Sequence, residues 1–203
     1  MTNTRLVASA AIAMSAIFGA TTAMAEEEKG GFYVGIGGGA NWLDEAEGNG
    51  VSIDFDTGYT ALAAVGYDFG VNGAGGSIRV EGEVSYTSND YSSVTVNGVN
   101  TGITGDIEQW TFMGQGIYEF TAATGFRPYV GAGIGVINAE TEASAGNVGA
   151  SADSTEFAYR GLIGVAADVT ESATLDLGFR YTGATGDAEL DNIGIVAQVR
   201  FGF

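Results

Sequence analysis

The chain has 203 residues, with 34 glycines, one proline, no cysteine and no histidine, and a formal net charge of −18 from 25 acidic and 7 basic residues. At this length one domain is expected, and an apolar fraction of 45% is too high for a disordered chain. The missing cysteine excludes disulfide staples and a lipoprotein anchor, the missing histidine excludes Ser–His, His–Asp and His-ligated metal chemistry, and the acidic balance disfavours nucleic acid.

Residues 1–25 read as an export signal. Arg5 supplies the positive end, residues 6–20 the apolar run, and Ala23-Met24-Ala25 a small-residue cleavage site before Glu26-Glu27-Glu28. The apolar run is short for a membrane span, which needs about 20 residues. The expected mature domain, residues 26–203, contains no unbroken apolar stretch long enough for a transmembrane helix. It keeps six cationic residues, Lys29, Arg79, Arg127, Arg160, Arg180 and Arg200.

From residue 31 onward apolar side chains recur at every second position. Residues 31–42 place Phe32, Val34, Ile36, Ala40 and Trp42 on one face, and residues 58–69 follow with Tyr59, Ala61, Ala63, Val65, Tyr67 and Phe69. Residues 77–86 set Ile78, Val80, Val84 and Tyr86 opposite Arg79, Glu81, Glu83 and Ser85. Residues 109–120 set Trp110, Phe112, Tyr118 and Phe120 against Gln115 and Glu119. Residues 127–137 alternate Val130, Ala132, Ile134 and Val136 with glycines, and residues 156–168 oppose Phe157, Tyr159, Ile163 and Val165 to Arg160 and Asp168. Residues 173–182 oppose Leu175, Leu177, Phe179 and Tyr181 to Asp176 and Arg180. The last segment alternates Ile193, Ile195, Ala197, Val199, Phe201 and Phe203 with Gln198 and Arg200. Strand side chains alternate faces, so each segment is a two-faced strand.

The connections alternate in length. Residues 41–57, 87–106, 138–155 and 183–192 are long and polar; residues 70–76, 121–126 and 170–172 are short. Long and short loops taking turns put all long loops at one end of an antiparallel meander, and eight strands closed on themselves leave no edge. The fold expected is all-β, an eight-stranded antiparallel up-and-down barrel.

The outer face is the greasy one. The polar face is mostly Gly, Ala, Thr and Ser, as a cramped interior needs, and its few charges come in both signs. Aromatics gather at both strand ends of the apolar face. Trp42, Tyr59, Tyr86, Trp110, Phe157, Tyr159 and Tyr181 lie toward the long loops, and Phe32, Phe69, Tyr118, Phe120, Phe201 and Phe203 toward the short turns. Two aromatic belts around an apolar band describe a transmembrane barrel, and no Lys or Arg falls on a lipid-facing position. Inside, Arg79, Glu81 and Glu83 are expected to look across the lumen toward Arg160 and Arg180, with Glu81, Glu83, Arg160 and Arg180 as one network. Arg200 is expected beside Asp176 near the short-turn end.

Residues 31–42 (GFYVGIGGGANW), 127–136 (RPYVGAGIGV), 157–183 and the terminal VRFGF resemble the small eight-stranded outer-membrane barrels of Gram-negative bacteria, the outer membrane protein A-like and opacity-type porin-like families. The likeness covers essentially the whole mature chain. It implies an outer-membrane location, contact with lipid and lipopolysaccharide, and a closing strand whose alternate residues Val199, Phe201 and Phe203 are read by the outer-membrane assembly machinery. Because nothing follows Phe203, no periplasmic cell-wall-binding domain is expected.

Two motifs look chemical but lack their context. Gly35-Ile36-Gly37-Gly38-Gly39-Ala40 has dinucleotide-fingerprint spacing without a following helix, and Asp56-Thr57-Gly58 is a single aspartic-protease-like triplet at a loop end. No enzyme and no cofactor is expected. The long loops carry Asp44, Glu45, Glu47, Asp54, Asp56, Asp90, Asp106, Glu140, Glu142, Asp153, Asp187, Glu189 and Asp191 with no Lys or Arg, a solvated acidic fringe open to divalent cations or a basic host protein. The residues favour a structural, surface-displayed protein with its lumen plugged by paired charges. A narrow gated channel and a surface adhesin or antigen remain the alternatives.

Overall fold

A computed structural model describes residues 30–43, 46–48, 51–72, 75–96, 99–100, 104–121, 125–145, 148–185 and 191–203. Eight long strands form the wall: β1 (Gly31–Leu43), β2 (Gly58–Asn72), β3 (Gly76–Val96), β4 (Thr104–Phe120), β5 (Phe126–Ala145), β6 (Val148–Thr170), β7 (Ala173–Ala184) and β8 (Asn192–Gly202). Each pairs antiparallel with its chain neighbours, and β1 pairs β8, which closes the ring. The signal region lies outside the described residues.

Closure is staggered. The row of paired residues that leaves β1 at Tyr33 runs through Gly66, Glu81, Gln115, Gly133, Arg160, Thr182 and Asn192 and returns to β1 at Leu43, ten residues further on. Such a stagger goes with strands tilted by about 35–45°. Side chains at one height in the lumen are therefore not row partners.

Inside and outside separate sharply. Val65 and Ile134 are 62% and 64% exposed on the outer face, whereas Glu83 and Glu119 are 4% and 2% exposed within. The short turns need left-handed backbone. Gly70 and Gly75, with φ of 75° and 82°, flank the β2–β3 turn, and Asp68 Oδ1 accepts the Gly70 N–H at 2.8 Å.

Two expected long loops are largely strand. β3 runs on to Val96 and β4 starts at Thr104; β5 runs to Ala145 and β6 starts at Val148. Short segments Val51–Phe55 and Val99–Asn100 add to the outer end of β3, and Ala46–Gly48 adds to Val51–Phe55. Apolar alternation stops near Thr87 and Asn138, but the wall's pairing continues beyond them, with Asp90 opposite Asp106 and Thr141 opposite Ala152.

Candidate functional site

The lumen holds two layers of ion pairs, each built from residues on several strands. In the layer nearer the long loops, Glu83 of β3 is shared by two guanidinium groups. Arg160 Nη1 donates to Glu83 Oε1 at 2.6 Å, and Arg180 Nη1 donates to Oε1 and Oε2 at 3.0 and 3.1 Å. Arg160 Nε also donates to Thr182 Oγ1 at 2.9 Å.

The layer nearer the short turns is larger. Arg200 Nε donates to Asp176 Oδ2 at 2.5 Å, its Nη2 to Asp176 Oδ1 at 3.1 Å and to Glu119 Oε2 at 3.2 Å. Arg79 Nη1 donates to Asp176 Oδ2 at 3.1 Å. Arg127 Nε donates to Glu119 Oε1 at 2.5 Å, and its Nη1 and Nη2 hold both oxygens of Asp168. Two inward tyrosines complete the layer, with Arg79 5.1 Å from the Tyr129 ring centre and Arg200 5.3 Å from that of Tyr33.

Between the layers sits Glu81. Its carboxylate accepts from Tyr33 Oη at 2.9 Å, Gln115 Nε2 at 2.5 Å and Gln198 Nε2 at 3.4 Å. This corrects the single network of Glu81, Glu83, Arg160 and Arg180. Glu81 is held by neutral donors, and Arg79 turns to Asp176 rather than toward Arg160 and Arg180. The reason is the stagger, which puts residues two apart on β3 at different heights facing different strands. Glu119, Arg127, Asp168, Tyr33 and Tyr129 also belong to the lumen. Their inward parity was visible in the sequence, but their partners were not.

A cavity of about 20 Å³ lies against Arg160, Arg180 and Gln109, and one of about 10 Å³ lies against Arg79, Glu81 and Gln115. Each has room for about one water molecule.

On the outer face the aromatic side chains meet across strands and along them. Trp110 and Tyr86 lie 5.2 Å apart between ring centres, and Tyr59 and Tyr86 6.2 Å, as do Tyr159 and Tyr181. Toward the short turns Phe32 meets Tyr67 at 4.8 Å, Tyr67 meets Phe69 at 5.0 Å and Tyr118 meets Phe120 at 4.8 Å. Trp42 and the unforeseen Phe126 are exposed on the same face. At the chain end, Val199 and Phe201 pair with Ile36 and Val34 of β1, and the Phe203 N–H donates to Phe32 O at 3.0 Å.

The sequence profile described as "Outer membrane protein beta-barrel domain" matches residues 10–201. The chain belongs to this family. Its barrel fold is shared with Neisserial surface protein A, at 22% identity over 87% of this chain and 100% of that one, with a TM-score of 0.60. It is shared too with Ail, the attachment invasion locus protein of Yersinia pestis, solved in complex with the heparin analogue sucrose octasulfate. There the identity is 14% over 86% of this chain and 100% of that one, with a TM-score of 0.54. No curated protein matches the chain significantly.

As an outer-membrane barrel, the chain turns its exposed apolar face to lipid. Beyond the Tyr86–Trp110 pair, two rows of acids cross the strands: Glu108, Glu140 and Asp153, then Asp90, Asp106 and Glu142. Among the described residues no three acidic groups converge in a way that could hold a metal ion, and Asp44, Glu45, Asp187 and Glu189 lie outside those residues.

Proposed function

We propose that this outer-membrane barrel is a closed, structural element of the envelope that displays acidic ribbons at the cell surface, exported by a cleaved signal at residues 1–25 and carrying no catalytic activity. The observation that carries the closed reading is the two-layer ion-pair plug, with Glu83 shared between Arg160 and Arg180 and Asp176 shared between Arg79 and Arg200. An eight-stranded barrel is just wide enough for side chains to fill it, and these side chains lock to one another.

Planar-bilayer recording tests this reading. Wild-type barrels should pass no steady current, and Arg180→Ala should lower stability or raise brief openings. Persistent ohmic current from wild type would make the protein a channel. An Arg180→Ala variant unchanged in both respects would remove the plug.

A surface-binding role is the second reading, favoured by the acidic rows. The long loops contain no Lys or Arg. Their partner would be cationic, unlike the polyanionic heparin analogue named with Ail. Loss of attachment to a basic host surface on deleting residues 138–155, with the barrel still folded, would establish it.

The terminal strand supports a role in assembly. Phe203 and Phe32 are both exposed at the same end of the barrel, 81% and 61%, but only Phe203 directly follows Gly202, the last residue of the closing strand β8. If the machinery reads that end, Phe203→Ala lowers the amount of folded protein in the outer membrane several-fold while Phe32→Ala does not. Both variants should refold equally into vesicles without the machinery. Equal defects in cells would reduce Phe203 to one more belt residue.

A further inference from the structure

Beyond the aromatic belt, β3 to β6 continue as a ribbon with two side edges, and the chain covers one of them. At β3 the edge is closed by Val51–Phe55, which pairs with residues 91–96, and Ala46–Gly48 pairs in turn with Val51–Phe55. At β6 the ladder with β7 ends at Ala158 and Ala184, followed by one bond from the Thr185 N–H to Phe157 O at 2.9 Å. Residues 148–156 of β6 pair with β5 on one side and, among the described residues, with no strand on the other. From this edge we infer that β6 beyond Phe157 is a docking site for an extended, cationic peptide strand from outside the cell. The inference deepens the surface-binding reading and rests on it.

The backbone supplies the template. Phe157 turns its carbonyl toward β7, and backbone direction alternates along a strand, so Gly149, Ser151, Asp153 and Thr155 turn their N–H and C=O groups the same way. Such a row of donors and acceptors is spaced to receive another strand. Proline, lysine or a bulge commonly guards an edge of this kind. Residues 148–156 contain no proline, lysine or arginine, and their register with β5 runs without a shift.

Charge sets the class of the partner. Glu108 of β4, Glu140 of β5 and Asp153 of β6 are row partners, with the parity of the exposed Trp110 and Phe157, and the row ends at Asp153 on the edge. The residue that an added strand places opposite Asp153 becomes the next member of that row. A lysine or arginine there forms a favourable cross-strand pair, whereas an acid meets its like.

A second copy of the barrel does not fit this edge. Two copies in one membrane, related by a twofold axis along the membrane normal, would present strands tilted by about 35–45° at twice that angle to each other. Strands so far crossed cannot form a ladder.

The test uses the full barrel in lipid nanodiscs and a synthetic heptapeptide that alternates lysine with threonine. Amide hydrogen exchange is read by NMR at Ser151, Asp153 and Thr155. At nine-tenths occupancy, exchange at these amides should slow about tenfold. The same peptide N-methylated along its pairing edge should give no protection, and one with glutamate in place of lysine should give far less. Ser151→Pro removes an edge donor without taking a bond from the β5 ladder, and should abolish protection at Asp153 and Thr155. Asp153→Lys should invert the preference between the lysine and glutamate peptides. Protection that survives N-methylation, that is equal for the two peptides, or that never develops overturns the site. Protection without peptide that grows with the number of barrels per disc makes a second copy the occupant and also overturns it. Attachment of cells to a basic surface separates this inference from the reading beneath it. Attachment that survives deletion of residues 138–155 removes both; attachment lost on that deletion but kept by Ser151→Pro removes the edge alone.

Discussion

Glu83→Gln is expected to lower the unfolding free energy of the barrel by about 3–5 kcal/mol, the usual cost of removing one partner from a buried ion cluster. Glutamine keeps the shape and deletes the charge. Arg160 and Arg180 then face each other across a neutral amide, and the side chains of Glu83 and Arg160 are only 0% and 4% accessible. Urea unfolding in phospholipid vesicles, followed by the fluorescence of Trp42 and Trp110, measures the loss. The triple change Glu83→Leu, Arg160→Met, Arg180→Met should recover most of it, because apolar replacement of a whole buried cluster is often neutral. A cost below about 1 kcal/mol for Glu83→Gln would mean that the cluster behaves like a solvated surface pair.

The second large effect lies on the other side of the same wall. Val65 sits on β2 between Tyr59 and Phe69 and is 62% exposed on the outer face. Val65→Arg should cost about 2–4 kcal/mol in a bilayer, whereas Tyr59→Arg, at the interface, should cost about 0–1 kcal/mol. The same unfolding measurement in vesicles reads both. Equal costs at the two depths would mean that this face does not meet a hydrocarbon layer.

These two residues also show what the sequence could and could not say. Val65 and Glu83 reveal their faces by parity alone, because a strand has only two sides and the alternation persists for a whole span. Height is a different matter. The row partner of Glu83 on β4 is Met113, then Gly135 on β5 and Ala158 on β6, yet its carboxylate meets Arg160. That offset comes from the stagger of the closed ring, which no single strand encodes. Arg79 and Glu81 share a face with Glu83 and still end in other company for this reason. The strand extensions beyond Thr87 and Asn138 were hidden for another cause. In water a ribbon need not alternate apolar with polar, so the period that marks a strand in lipid fades where the pairing does not.

The strands also differ in length. β3 to β6 span 21, 17, 20 and 23 residues, against 13, 12 and 11 for β1, β7 and β8. β6 pairs with β7 no further than Ala158, and Val148 lies ten residues beyond it, about 33 Å along the strand at roughly 3.3 Å per residue. Among the described residues the wall therefore stands higher along β3 to β6 than along β7, β8 and β1. In the plane of the membrane such a barrel has a front and a back, and whatever comes to its mouth meets a different obstacle according to the direction of approach.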